Sequence, residues 1–107
     1  MLVVDDDLRL AEITARGLRR LGFDADASSS LRRLQAREVL VFDLSLLDAL
    51  DAAARRELQA SRPIVVTGAT DARSRALASA LDASDYLVKP IELDELASAI
   101  NRRMAER

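Results

Sequence analysis

Five polar residues that follow short apolar runs are the part of this sequence best suited to chemistry. Asp5 and Asp6 follow the first run, Asp43 the second, Thr67 the third and Lys89 the last. If these side chains meet, the three carboxylates repel one another, and Lys89 offsets about one of the charges. Oxygen ligands with room for water suit Mg²⁺ or Mn²⁺, and such a cation would offset most of the remainder.

This combination favours acceptance of a phosphoryl group. A carboxylate is already a nucleophile at neutral pH, so no general base is needed in a chain without histidine. The cation and the lysine would neutralise the equatorial phosphoryl oxygens, and a threonine hydroxyl would donate a hydrogen bond to one of them.

Composition excludes several other kinds of site. The absence of cysteine and histidine rules out a disulfide scaffold, zinc sites with Cys or His ligands, and catalytic triads based on histidine. A net charge of −2 with one tyrosine, two phenylalanines and no tryptophan does not suit nucleic-acid binding.

The length of 107 residues, half of them apolar, predicts one globular domain spanning 1–107. Its apolar runs are too short to span a bilayer, and no signal-peptide pattern follows Met1. We therefore expect a cytoplasmic domain, with any output domain lying outside this sequence.

The elements that must position the polar residues alternate between strands and helices. Short apolar runs predict strands, and segments with helical periodicity predict the helices between them. The expected strands are 2–4, 23–27, 39–42, 64–66 and 85–88. The expected helices are 7–21, with Asp7 as N-cap and Gly22 after its end, then 31–37, 48–60, 71–81 and 92–105.

Helix periodicity also predicts which faces are buried. In the first helix one side carries Leu10, Ile13, Gly17 with Leu18, and Leu21. In the last helix one side carries Leu93, Leu96, Ile100 and Met104. Apolar strands that alternate with helices indicate an α/β fold with a parallel sheet covered on both faces. Ligands bind beyond the carboxyl ends of such strands, where the five polar residues lie.

Four motifs in this order resemble the receiver domain of bacterial response regulators: 3–7 (VVDDD), 42–43 (FD), 66–68 (VTG) and 86–90 (YLVKP). The resemblance covers the whole chain. It implies a doubly wound, flavodoxin-like five-stranded parallel sheet of order 2-1-3-4-5 with helices on both faces.

The resemblance also implies a role for each carboxylate. Asp43 would be the phosphoacceptor and a metal ligand. Asp6 would bind the metal directly, Asp5 through a water, and Ser45 through its backbone carbonyl. The metal would be Mg²⁺ or Mn²⁺.

The remaining motif residues would bind the phosphoryl group or respond to it. Thr67 would donate a hydrogen bond to it. Lys89 would form an ion pair with it, and a cis Lys89–Pro90 peptide bond would set the position of the lysine side chain. Gly68 would leave the phosphate accessible, and Tyr86 would turn inward on phosphorylation.

Partners follow from the same resemblance. A histidine kinase or phosphotransfer protein would supply the phosphoryl group, and an effector domain or protein would read the change. The domain would catalyse only its own phosphorylation and dephosphorylation, without contact to nucleic acid or membrane. A weak or phosphorylation-dependent dimer would use Asp85 and Glu95, although Ala99 stands where an arginine is expected.

The sequence departs from the family pattern in two places. The proline and Asp-Gly expected after the phosphoacceptor are absent, since 46–50 reads LLDAL. The stretches 22–43 and 43–67 are each short by about six residues, on the order of one and a half helical turns. These departures keep open an alternative, a degenerate receiver that acts as a protein-interaction module without phosphorylation.

A phosphatase of the haloacid-dehalogenase type is a further alternative, because 42–47 (FDLSLL) resembles its nucleophile motif. That family has a second aspartate two residues after the nucleophile, where this chain has Ser45. Its acidic pair also follows the lysine, whereas here Asp5 and Asp6 precede Asp43. Both differences argue against the phosphatase.

Overall fold

Strands and helices alternate along the chain, and the computed structural model describes residues 1–69 and 71–106. The strands are β1 Leu2–Val4, β2 Asp26–Ser28, β3 Leu40–Asp43, β4 Ile64–Thr67 and β5 Asp85–Val88. The α-helices are α1 Leu8–Arg20, α2 Ala52–Ala60, α3 Ala72–Ala80 and α4 Leu93–Ala105, with a 3₁₀ helix at Leu44–Ala49. None of the helices within these residues combines the length and the apolar character that a membrane span requires.

The five strands form one parallel sheet of order β2-β1-β3-β4-β5, which confirms the predicted fold class. Val4 pairs with Phe42, and Asp43 pairs with Val66. The carboxyl ends of β1 and β3 therefore lie side by side at the centre of the sheet. Any side chain directly after either strand emerges at the same edge.

Helices cover both faces of the sheet, as predicted. The helices α1 and α4 pack on the face that contains Val3, Val41 and Val66. The other face, which contains Val4 and Phe42, is covered by the 3₁₀ helix, α2 and α3. Because both faces are covered, β1, β3 and β4 are buried at every position, which explains their uninterrupted apolar runs.

The helix ends follow local capping chemistry. The Asp7 carboxylate accepts from the N–H groups of Arg9 and Leu10, which confirms it as the N-cap of α1. Gly22, just past that helix, has φ +96°, a conformation that favours glycine. The expected helix 48–60 was wrong at its start. The Asp51 carboxylate accepts from the N–H of Ala54, so α2 begins after Asp51.

Two elements between Gly22 and Val39 differ from the sequence prediction. The strand expected at 23–27 is β2 at Asp26–Ser28, because Phe23 still donates to the Leu18 carbonyl as part of the end of α1. The helix expected at 31–37 is absent. So short a helix is marginal on its own, and here Arg37 adopts φ +64°, which breaks helical geometry.

The predicted apolar face of α1 was right for Leu18 and wrong for Leu10, Ile13 and Leu21. Ala11, Ala15 and Leu18 are buried, and the two alanines let the helix pack closely on the sheet. Leu10 and Ile13 are 44% and 58% exposed, and Leu21 is exposed too. In α4, Leu96 and Ile100 are buried as expected, whereas Met104 is exposed beyond the edge of the core.

A forked ion pair holds the segment that replaces the missing helix. Both terminal nitrogens of Arg32 donate to the Glu38 carboxylate at 2.9 Å, and the Gln35 N–H donates to it at 3.1 Å. The hydrogen bond from Arg32 is the main reason that the pKa of Glu38 lies below its usual range. The charged form of Glu38 is therefore stabilised by folding.

We expect Arg32→Gln to lower the free energy of unfolding by about 1 kcal/mol at pH 7, a modest value because Arg32 is partly exposed. A lowered folded-state pKa contributes stability above the ordinary carboxyl pKa and loses it as the pH falls through the lowered one. The difference from the wild type should therefore shrink in acid. Urea unfolding at pH 7 and at about pH 3 measures it. Arg33→Gln is the control, and equal losses in both variants would contradict the assignment.

Candidate functional site

Three aspartates meet at the carboxyl edge of the sheet. Carboxylate oxygens of Asp5, Asp6 and Asp43 all lie within 4.8 Å of one another. Asp5 and Asp43 are 8% and 5% exposed, whereas Asp6 is exposed. The structure therefore brings together the carboxylates that the strand ends predicted, two of them largely out of water.

Lys89 lies between the two buried carboxylates. Its Nζ donates to Asp5 Oδ2 at 3.0 Å and to Asp43 Oδ2 at 2.9 Å. Its backbone N–H donates to the Thr67 carbonyl at 2.7 Å, and the bond to Pro90 is cis, as predicted. The single lysine of the chain thus joins the ends of β1 and β3 from the far side of β4.

Opposing effects act on the ammonium group of Lys89. Partial burial by itself would lower the pKa of Lys89, but the hydrogen bonds to Asp43 and Asp5, with their charges, outweigh it. The pKa is therefore raised, and the lysine is charged at neutral pH. The cluster of three carboxylates and one ammonium carries a net charge of about −2.

Backbone N–H groups hold the remaining oxygens of the buried pair. The Asp7 N–H donates to Asp5 Oδ1 at 2.9 Å, and the Ser45 N–H donates to Asp43 Oδ1 at 3.0 Å. Both carboxylates are thereby fixed in orientation before any ligand arrives. For Ser45, the structure shows this N–H contact, and the role of its carbonyl stays a prediction.

Thr67 and Tyr86 are connected through the loop after β4. The buried Thr67 Oγ1 accepts from the Ala69 N–H at 3.1 Å, and the Tyr86 hydroxyl donates to the Ala69 carbonyl at 2.8 Å. An added methyl group at Gly68 would meet no atom within 4 Å, so packing does not require glycine there. The loop therefore joins a phosphoryl-binding candidate to the proposed switch residue by two hydrogen bonds.

The donor set fits a hard divalent cation. It offers carboxylate oxygens, one of them on the exposed Asp6, and its excess negative charge falls when such a cation binds. Among polar side chains buried in the described residues, every nitrogen and oxygen has a hydrogen-bond partner. The exposed Asp6 is therefore the carboxylate best placed to change partners.

We expect millimolar Mg²⁺ to raise the melting temperature by about 5 °C. A ligand present at about ten times its dissociation constant stabilises the native state by roughly 1.4 kcal/mol. For a domain of this size, that stabilisation raises the melting temperature by several degrees. Differential scanning fluorimetry against EDTA measures the shift, with NaCl of equal ionic strength as control. Asp6→Asn should reduce the shift without lowering metal-free stability. An equal shift in Asp6→Asn would contradict the site.

Comparison with known proteins agrees with this geometry. The chain is 32% identical over 117 residues to the acid tolerance regulatory protein ActR of Rhizobium meliloti, covering 100% of this chain and 60% of ActR. It superposes on the crystal structure of FixJ-N with a TM-score of 0.78 and 26% identity, covering 99% and 93% of the two chains. The chain is a response regulator receiver domain.

A third relative carries ligands in its crystal. A response regulator from Burkholderia pseudomallei, solved with a phosphorylated aspartic acid, a calcium ion and citrate, matches this receiver domain with a TM-score of 0.72. Its 24% identity, over 97% of this chain and 67% of that one, shows a common fold. In the comparison with models of protein families, none matches this chain. The receiver domain spans about three-fifths of the length of ActR.

Sequence reasoning missed three features of this receiver domain. The Tyr86 contact with Ala69 and the pair between Arg32 and Glu38 depend on loop conformation, which no local pattern signals. Asp85, expected at a dimer contact, pairs with Arg102 within the chain. Dimerisation through Asp85 and Glu95 stays a prediction, and one that would have to compete with this internal pair.

Proposed function

We propose that this receiver domain accepts a phosphoryl group on Asp43 from a phosphohistidine of a histidine kinase or phosphotransfer protein. The observation that carries the proposal is the hydrogen bonding of Lys89 to both Asp5 and Asp43 inside the three-carboxylate cluster. A structural salt bridge needs one carboxylate. Here one lysine is bonded to two carboxylates and a third lies beside them, which leaves negative charge that a bound cation would offset.

The transfer makes one bond and breaks one. An Asp43 oxygen attacks the phosphorus, the bond from phosphorus to the donor imidazole nitrogen breaks, and that nitrogen keeps the electron pair. Lys89 and Thr67 would hold the phosphoryl oxygens. Bound Mg²⁺ or Mn²⁺ would supply further positive charge beside those oxygens, held by Asp6, Asp43, the Ser45 carbonyl and, through water, Asp5. Water later cleaves the acyl phosphate and restores the carboxylate.

The new charge would change the surface through the loop after β4. The acyl phosphate carries nearly two negative charges on its phosphoryl oxygens in place of the single charge of the free carboxylate, and these oxygens attract the Thr67 hydroxyl and Lys89. Movement of Thr67 would disturb the hydrogen bond that its hydroxyl accepts from the Ala69 N–H. The Tyr86 hydroxyl donates a hydrogen bond to the carbonyl of Ala69, so the disturbance would reach Tyr86. Tyr86 would then leave that carbonyl and turn inward. The changed surface comprises α3, β5 and α4.

The biological setting follows from the same proposal. The domain would act in the cytoplasm in two-component signalling, and a downstream effector domain or protein would read the changed surface. It would bind neither nucleic acid nor membrane itself. A weak or phosphorylation-dependent dimer belongs to this proposal.

Intact mass spectrometry after incubation with acetyl phosphate and Mg²⁺ tests the proposal. We expect the mass of one phosphoryl group to be added, and EDTA to prevent the addition. A protein that binds Mg²⁺ but never gains this mass would instead be the degenerate receiver. Turnover of p-nitrophenyl phosphate would point to the phosphatase alternative.

A further inference from the structure

The segment directly after Asp43 is a 3₁₀ helix of six residues, Leu44–Ala49. Such helices seldom exceed about three or four residues, because the geometry of their hydrogen bonds is poorer than in an α-helix. No proline restricts the backbone here, since 46–50 reads LLDAL. Contacts from outside the 3₁₀ helix must therefore hold it in place.

The start of this 3₁₀ helix is tied to the proposed phosphoacceptor. Asp43 is its N-cap, and Asp43 Oδ1 accepts from the Ser45 N–H at 3.0 Å. Lys89 bonds the other oxygen of the same carboxylate. A shift of the 3₁₀ helix would move the Ser45 N–H, and the Asp43 carboxylate would then lose one of the two contacts that fix its orientation.

Arg55 of α2 holds the other end of the 3₁₀ helix. Its Nη2 donates to the Leu47 carbonyl at 3.0 Å, and its Nε donates to the Leu50 carbonyl at 3.3 Å. The Leu47 carbonyl also accepts from the Leu50 N–H at 3.1 Å, so the guanidinium reinforces the hydrogen bond that closes the 3₁₀ helix. A cation at this end also complements the partial negative charge of the free carbonyls. The exposed Asp48 carboxylate, 3.8 Å from Nη2, adds little.

We propose that Arg55 is a positioning residue for the phosphorylation of Asp43. Its backbone lies in the first turn of α2, where its N–H donates to the Asp51 carbonyl at 3.0 Å, and the buried Leu58 packs this helix on the sheet. The guanidinium therefore connects the 3₁₀ helix to a rigid element. The 3₁₀ helix in turn presents the Ser45 N–H to Asp43, which keeps the carboxylate in one orientation before a ligand arrives. This inference rests on the proposed function and adds a residue that acts on the acceptor through the backbone.

Three measurements on the Arg55→Gln variant of the whole chain test the proposal. In hydrogen exchange followed by NMR, we expect the Ser45 and Leu50 amides to exchange about fivefold faster than in the wild type, because two hydrogen bonds from a partly exposed charged group are lost. A 3₁₀ helix that opens more often should weaken Mg²⁺ binding, measured by titration calorimetry, by at least about twofold. It should also slow phosphoryl incorporation from acetyl phosphate at saturating Mg²⁺ by at least about twofold.

Two further variants complete the test. Arg56→Gln removes an equal charge from the next residue of α2, which is exposed, and should behave as the wild type does in all three measurements. Arg55→Lys keeps the charge but has one donor atom instead of a fork, so its values should lie between those of the wild type and of Arg55→Gln.

The proposal is overturned if Arg55→Gln and Arg56→Gln show the same exchange rate at Ser45. It is also overturned if that exchange becomes faster while Mg²⁺ affinity and phosphoryl incorporation stay at the level of Arg56→Gln, since Arg55 would then only stabilise the fold. A wild type that binds Mg²⁺ but gains no phosphoryl group would overturn the proposed function instead. The exchange and Mg²⁺ measurements would still decide whether Arg55 positions the Asp43 carboxylate.

Discussion

Asp43→Asn is expected to reduce phosphoryl incorporation from acetyl phosphate by at least about 100-fold, because an amide oxygen is a poor nucleophile. The same substitution should stabilise the metal-free protein by about 1 kcal/mol. It removes repulsion from Asp5 and Asp6 while losing one attraction to Lys89, and at an effective dielectric near 20 the two repulsions slightly outweigh that attraction. Intact mass measurement and urea unfolding in EDTA test the two effects.

Two variants sharpen this test. Asp7 lies next to the cluster and caps α1. The Asp7→Asn variant should therefore incorporate the phosphoryl group as the wild type does. Asp43→Ala should lose labelling but gain little stability, since the Ser45 N–H then loses its acceptor, at a cost of about 1 kcal/mol. Full labelling of Asp43→Asn would move the phosphoacceptor elsewhere. A destabilised Asp43→Asn would show that Asp43 is a structural residue.

Lys89→Met is expected to lower the free energy of unfolding by about 2 kcal/mol in EDTA. Removing one partner of a buried charged group leaves the other uncompensated, at a typical cost of 3–5 kcal/mol. Partial exposure of Lys89, 32% of its side chain, reduces that cost. Millimolar Mg²⁺ should narrow the difference from the wild type, because the cation replaces part of the missing positive charge. Urea unfolding with and without Mg²⁺ measures both effects.

Lys89→Arg separates charge from packing. It restores the positive charge without the shape of lysine, so it should recover most of the stability lost in Lys89→Met. If both variants lose the same stability, the aliphatic stem is responsible. If Mg²⁺ stabilises Lys89→Met no more than the wild type, the three carboxylates do not bind one cation.

The positions of the candidate site residues could be predicted because they depend on strand ends. Asp5 and Asp43 follow apolar runs, and adjacent parallel strands must deliver such residues to one edge. The family resemblance supplied the strand order that periodicity could not. Helix capping by Asp7 and Asp71 was equally predictable, because each carboxylate accepts a hydrogen bond from an N–H group only two or three residues further along the chain.

The failures share a physical cause. Periodicity marks Leu10 and Ile13 as core residues, but burial depends on which face meets the sheet, and Ala11 and Ala15 allow the closer approach. Segment 31–37 has helical spacing, yet Glu38 engages Arg32 and the Gln35 N–H, and the segment stays irregular. In each case specific side-chain packing or hydrogen bonding outweighed a helical preference of a fraction of a kcal/mol per residue.

The sequence by itself determined the α/β class, the edge of the sheet where chemistry can occur, and the residue types gathered there. These follow from patterns within a few residues of each strand end. The tertiary structure decided that Lys89 bridges Asp5 and Asp43, 84 and 46 residues away along the chain. It also decided that Gly17 of α1 lies against Leu93 of α4, where an added methyl group would be 3.1 Å from Leu93 Cδ2. Distances between distant segments depend on how closely helices pack on the sheet, and side-chain volumes across the whole core set that packing.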